Sequence, residues 1–187
     1  MTTLNNSEIE EPKLPPLAET VFLGEIVFQI KIAKRSAELL FNEEKILDQL
    51  DYWIFIQSIL TATAKVSKIL WPSKGKNYIE RENRANRLHQ MLNVSSDNSL
   101  IDLTMRHRFE HNDERIDDWF KDKKSAVYYD NMIEGYRFEH LDFSTNYHRS
   151  YNPFTKTLSF RGESINLAEV LQELEKIILS CGNYVLT

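Results

Sequence analysis

The chain has one cysteine, Cys181, so no disulfide can form within it. It has five glycines, and none of them builds a Gly-rich loop able to cradle a phosphate. No stretch approaches the roughly 18 uncharged apolar residues that a membrane-spanning helix needs. Met1 to Leu17 has neither a basic start nor an apolar run, which excludes reading it as a secretory signal or anchor. A cytoplasmic protein with no membrane contact is the expectation. Positive charge is also in short supply: 23 Lys and Arg face 28 Asp and Glu, for a formal charge of −5. That balance excludes coating nucleic acid by general electrostatics, which needs many cations neutralising phosphates. Any RNA contact has to be local.

What is present is an ordinary apolar share, 42% of 187 residues, enough for one domain with a real core. Residues 1–18, with Glu8, Glu10, Glu11, Pro12, Pro15 and Pro16, read as a flexible acidic, proline-containing tail. From Thr20 to Leu70 there is no proline, and Ile26, Ile30, Ala33, Ala37 and Leu40, then Leu47, Leu50, Ile54 and Ile59, recur at helical spacing. Two long helices breaking near Asn42 to Lys45 are expected. The second is apolar on nearly every side from Tyr52 to Leu60, which places it in the middle of a bundle. Trp71-Pro72 ends it, and a third helix runs from about Ile79 to Leu92. Ser99 with Asp102 has capping-box spacing, starting a fourth helix near Leu100 that continues to about Lys123. Beyond Gly135, Asn146 to Tyr151 and Thr157 to Arg161 around Asn152-Pro153 read as a β-hairpin. Asn166 then caps a last helix, Leu167 to about Leu179. The fold class is mainly α: a helical bundle over 19–134, and a small hairpin plus terminal helix over 135–187 packed on it.

The chemistry concentrates on the fourth helix, in Arg106-His107-Arg108-Phe109-Glu110-His111. With Phe109 as zero and about 100° per residue, Met105, Ile116 and Phe120 fall within about 40°, and Ile101 and Trp119 lie at the edge of that face. They define a core side, and His107 and His111 lie about 160° away, together on one other face. A core role for the two histidines is disfavoured, leaving a solvated pair or a pair covered by a second molecule. Arg106 and His111, five apart, are about 140° apart on one helix, so a single helix cannot aim both at one atom. Two such helices facing each other in a homodimer would solve this.

Arg106-His107-x-x-x-His111 resembles the R-[polar]-x-x-x-H motif of the HEPN superfamily, and the run from Arg106 to Trp119 is similar to a bacterial branch of it. The resemblance covers about Thr20 to Lys124. It implies a four-helix bundle and, as in the nuclease members, a homodimer whose composite site cleaves RNA without metal or other cofactor. It implies Arg106 and His111 as catalytic and His107 as the polar residue beside the arginine; Glu110 on the same segment is a candidate supporting residue. It also implies a toxin or defence role, with an antitoxin or regulatory protein as a partner. The residue types suit that chemistry: histidine exchanges protons near neutrality, and arginine offers a permanently charged fork to phosphate oxygens.

Other readings of these residues stay open. His107-x-x-Glu110-His111 also spells H-x-x-E-H, the zinc-site pattern of inverted zinc peptidases, without an evident downstream acidic ligand. Arg106 with Glu110, and His111 and Arg115 against Glu114 and Asp118, could be a solvated, salt-bridged face of a non-catalytic HEPN-like binding or regulatory module. Asp113, Glu114, Asp117 and Asp118 would repel phosphate unless paired. Lys74, Lys76, Arg81, Arg84 and Arg87 form a basic stripe, either a solvated helix face or a weak RNA contact. Gln57 either satisfies a buried group or faces the site, Trp53, Trp71 and Trp119 read as core, and His140 and His148 read as exposed. Cys181 has no activating neighbour and is not expected to be a nucleophile.

Overall fold

The computed structural model describes residues 14–95, 100, 112–122, 128–135 and 147–182. Helix α1 (Pro16–Leu40) starts with proline in its first turn, where the missing N–H costs nothing. It therefore begins inside the stretch expected to be tail. It ends at Phe41, whose N–H reaches the Ala37 carbonyl at 2.8 Å, and Asn42 Oδ1 accepts the Glu44 N–H to turn the chain. Helix α2 (Gln49–Leu70) is capped by Asp48, which accepts the Asp51 N–H at 2.8 Å. It stops before Pro72, as expected. Helix α3 (Tyr78–Leu92) lies between two left-handed asparagines, Asn77 at φ 56° and Asn93 at φ 50°, a conformation this side chain tolerates. Helix α4 (Asn112–Asp122) falls within the range expected for a fourth helix, of which 101–111 lie outside the described residues.

The β region is more than a hairpin. Strands β1 (Met132–Ile133), β2 (Arg149–Asn152), β3 (Thr157–Phe160) and β4 (Glu163–Asn166) form one sheet in that order. Residues β2 to β4 run as an antiparallel meander, with Tyr151 opposite Leu158 and Leu158 opposite Ile165. Strand β1 joins in parallel, Met132 opposite Ser150, so a strand lies inside the range assigned to the bundle. Its two residues are too short for a periodicity signal. Strands β3 and β4 turn through Arg161 and Gly162, both at positive φ (49° and 88°), the two-residue geometry that matches strand twist. Helix α5 (Leu167–Cys181) follows at once, with Asn166 Oδ1 accepting the Ala168 N–H at 2.8 Å.

The core has two lobes. Leu23, Ile26 and Ile30 of α1 meet Val66 and Leu70 of α2, Leu88 and Leu92 of α3, and Leu174 and Ile177 of α5. Further along α1, Ala37 and Leu40 meet Tyr52, Ile56 and Ile59 from the start of α2, and Tyr151, Leu158 and Phe160 from the sheet. The first half of α1 thus packs with the last half of α2, as in an antiparallel helix pair. Each large buried side chain contributes roughly 1.5–3 kcal/mol. One expectation about α2 fails: Leu50 and Ile54 are exposed (68% and 47%), so its first half is covered on one side only. Within the described residues, no helix is long and apolar enough to cross a membrane.

Candidate functional site

The residues singled out by the motif, Arg106, His107, Glu110 and His111, lie outside the described residues, as does His140. Both borders of the motif segment are described. Before it, Leu100 is buried in the first lobe, and its carbonyl accepts the Ser67 hydroxyl at 3.0 Å. After it, Asn112 Oδ1 lies 3.2 Å from His148 Nε2. Leu100 and Asn112, the described residues on either side, are thus held, the first against Ser67 of α2 and the second against His148.

Helix α4 is fastened by rings. Trp119 is 1% exposed and meets Tyr128 edge-on at 4.8 Å; Tyr128 lies 5.5 Å from His148, and His148 4.8 Å from Phe160, a core residue of β3. Two expectations need correction here. Phe120, placed at the centre of the core side, is 61% exposed, whereas Trp119, placed at its edge, is buried. The contacts of α4 run through Asn112 to His148 and through Trp119 to Tyr128, on the side that carries Trp119. His148, expected exposed, is completely buried. Its position between Tyr128 and Phe160 depends on strand pairing, which residue spacing does not carry.

With Nε2 donating to the Asn112 amide oxygen, His148 is left with an unpartnered, buried Nδ1. Burial holds its pKa below the ordinary value; Asp130 opposes that shift, and Arg149 and Arg161 add to it. Beside it, Asp130 and Arg149 form a two-pronged ion pair at 2.7 and 2.6 Å, nearly buried, with the guanidinium 5.6 Å above Trp53. The Tyr128 hydroxyl donates to Asp130 at 3.3 Å, and burial first, then the Asp130 charge, pushes its pKa up to about 12. Trp53 Nε1 and Gln49 Nε2 both donate to the Asn131 carbonyl at 2.7 Å. A shallow groove of about 490 Å³ opens here, lined among others by Leu50, Trp53, Gln57 and Arg149. Gln57 is exposed and lines this groove.

No family model, curated protein or solved structure matches the chain. The remaining candidates are thus placed by geometry. In the basic stripe, Arg81 donates to the Lys76 and Asn77 carbonyls at 2.7 and 3.2 Å. Arg84 sits over the Phe22 ring at 4.6 Å, and Arg87 pairs with Glu19 at 2.6 Å. The three arginines are thus engaged by the protein itself, while Lys74 and Lys76 are exposed. On α4, Asp118 is paired with Arg115 at 3.4 Å, while Asp113, Glu114 and Asp117 are exposed. Cys181 is buried, and burial pushes its thiol up to about 11, so it is no nucleophile near neutrality. Among the described residues, no group of three or more His, Cys, Asp or Glu is placed to hold a metal; the H-x-x-E-H residues lie outside them. Sequence reasoning missed the Asp130–Arg149 pair and the Asn112–His148 contact, whose members stand 19 and 36 residues apart. No local spacing could have signalled either.

Proposed function

We propose that this protein is a metal-independent endoribonuclease of HEPN-like bundle type, acting as a homodimer, with Arg106 and His111 in a composite site. The observation that carries the reading is the Arg106-His107-x-x-x-His111 spacing in a segment that leads directly into α4. In support, both borders of that segment are pinned, at Leu100 and at Asn112, which suits a site whose side chains need fixed positions. The 2′-hydroxyl of RNA attacks the adjacent phosphorus, the bond to the 5′-oxygen breaks, and a cyclic phosphate and a 5′-hydroxyl result. His111 takes the 2′ proton or supplies one to the leaving oxygen, and Arg106 stabilises charge on the phosphate. An antitoxin-like protein and RNA are the partners this reading carries. Incubation with RNA in chelator tests it: wild type is expected to cleave and His111→Ala to lose at least about a hundredfold in rate. Equal cleavage by both, or by neither, removes the proposal.

The exposed Asp113, Glu114 and Asp117 favour a second reading, a non-catalytic module that binds a basic partner. Growth arrest on expression of wild type, absent with His111→Ala, would dispose of it.

A further inference from the structure

We infer that the groove beside the start of α2 is a docking site for a basic peptide segment of a partner protein, which seats one large apolar side chain against Leu50 and Trp53. The groove shares no residue with the Arg106 to His111 motif, so the docking site stands whether or not the ribonuclease reading does. Leu50, Ile54 and Gln57 stand four and three residues apart, which lines them up along the outer side of α2. Leu50 and Ile54 are 68% and 47% exposed, and Ile46, just before the helix, is fully exposed. Single exposed apolar side chains are ordinary; three this close together, beside a groove of about 490 Å³, make a surface suited to binding. The groove is also built in advance. Trp53 is buried, its Nε1 and Gln49 Nε2 are held on the Asn131 carbonyl at 2.7 Å, and Arg149 lies over its ring with two nitrogens on Asp130. An incoming side chain therefore has little left to order, which removes a main cost of binding.

Charge selects the occupant. Asp48 lines the groove, Asp51 lies in the first turn of the same helix, and Glu43 and Glu44 lie on the connection leading into it, where Lys45 is the one cation. Among the described residues none of these four carboxylates has an ion-pair partner. Arg149, the cation that lines the groove, is already neutralised by Asp130. Such a surface repels nucleic acid and attracts lysine and arginine. A second copy of this chain suits it poorly, because a two-fold contact would set the same acidic stretch against itself. A peptide segment suits it well: the exposed Gln57 amide offers both a donor and an acceptor to a backbone, and the carboxylates meet basic residues on either side of the apolar anchor.

Selection of a random dodecapeptide phage library on the immobilised full chain tests this, with the enriched peptides synthesised and titrated by fluorescence anisotropy. They are expected to carry Lys or Arg on both sides of a Leu, Ile, Phe or Trp, and to bind more weakly as salt is raised. Leu50→Ser, which removes the apolar contact and leaves charge unchanged, should weaken binding about tenfold. Its side chain is exposed, so the fold should survive; if it does not, Ile54→Ser decides. Asp48→Asn keeps a residue able to cap α2 while removing the charge, and should weaken binding about two- to threefold, mainly through a slower association rate. Failure to enrich any peptide overturns the inference, as does enrichment of acidic or uncharged ones. So does affinity that survives both Leu50→Ser and Ile54→Ser. Displacement of the peptides by an oligouridylate RNA would mark a nucleic-acid site instead, and a wild-type dimer that dissociates in Leu50→Ser would mark an interface between copies; either result also overturns it.

Discussion

At the scale of single residues, the most consequential contacts are those between nearly buried charges and around large buried rings. Arg149 and Asp130 side chains are 11% and 16% exposed, and both prongs of the guanidinium are engaged. Asp130→Ala leaves a nearly buried cation facing Trp53, a loss expected at about 3 kcal/mol in denaturant unfolding; a loss below about 1 kcal/mol would mean that water solvates the arginine. Trp119→Ala empties the socket against Tyr128 and should cost about 3 kcal/mol, read the same way. Cys181 offers a chemical check: with its thiol raised to about 11 by burial, iodoacetamide at pH 8 should leave it unmodified in the native protein and label it once unfolded.

At the scale of elements, caps and turns were readable because their signals are local. The Trp71-Pro72 stop, the Asn166 cap and the start of the last helix all appear where the sequence puts them. Strand pairing was not readable. Two-residue β1 has no period, and β4, Glu163-Ser164-Ile165-Asn166, has one large apolar residue in a run that reads as a loop. The β3–β4 turn depends on Gly162 at φ 88°, where a side chain is strained. Gly162→Ala is expected to lower stability by about 1 kcal/mol, while the open space around that Cα excludes a clash as the cause. An unchanged melting temperature would show that the turn relaxes to another type. The facing of α4 shows the same limit from the other side: helical periodicity placed Trp119 at the edge of a contact face, whereas Tyr128, from outside the helix, covers it.

At the scale of the whole molecule, one buried histidine and one half-buried histidine tie stability to pH. Burial lowers the pKa of both His148 and His89, the latter against a hydrogen bond to the Leu70 backbone that raises it. The unfolded chain therefore takes up protons first, near the ordinary value of about 6.5. Stability is full above that pH, falls as the pH drops below it, and levels off below the folded-state values. Each histidine contributes up to about tenfold in the folding constant per pH unit in that window. Urea unfolding between pH 7.5 and 5 should show the decline, and His89→Gln should flatten part of it; a flat wild-type profile would place both rings in water.

By itself the sequence determined a mainly helical chain, the ends of α2 and α3 and the start of α5, the apolar stripes of α1 and α5, the inertness of Cys181, and the one segment with a chemical motif. These follow from backbone propensity, capping and periodicity, which act over a few neighbouring residues. Only the tertiary structure decided that β1 completes a four-stranded sheet, that His148 lies inside, that Asp130 meets Arg149, and that Asn112 is tied down beside His111. Each of those joins residues distant in the chain, and what brings such residues together is the packing of whole faces, a property no short stretch of sequence contains.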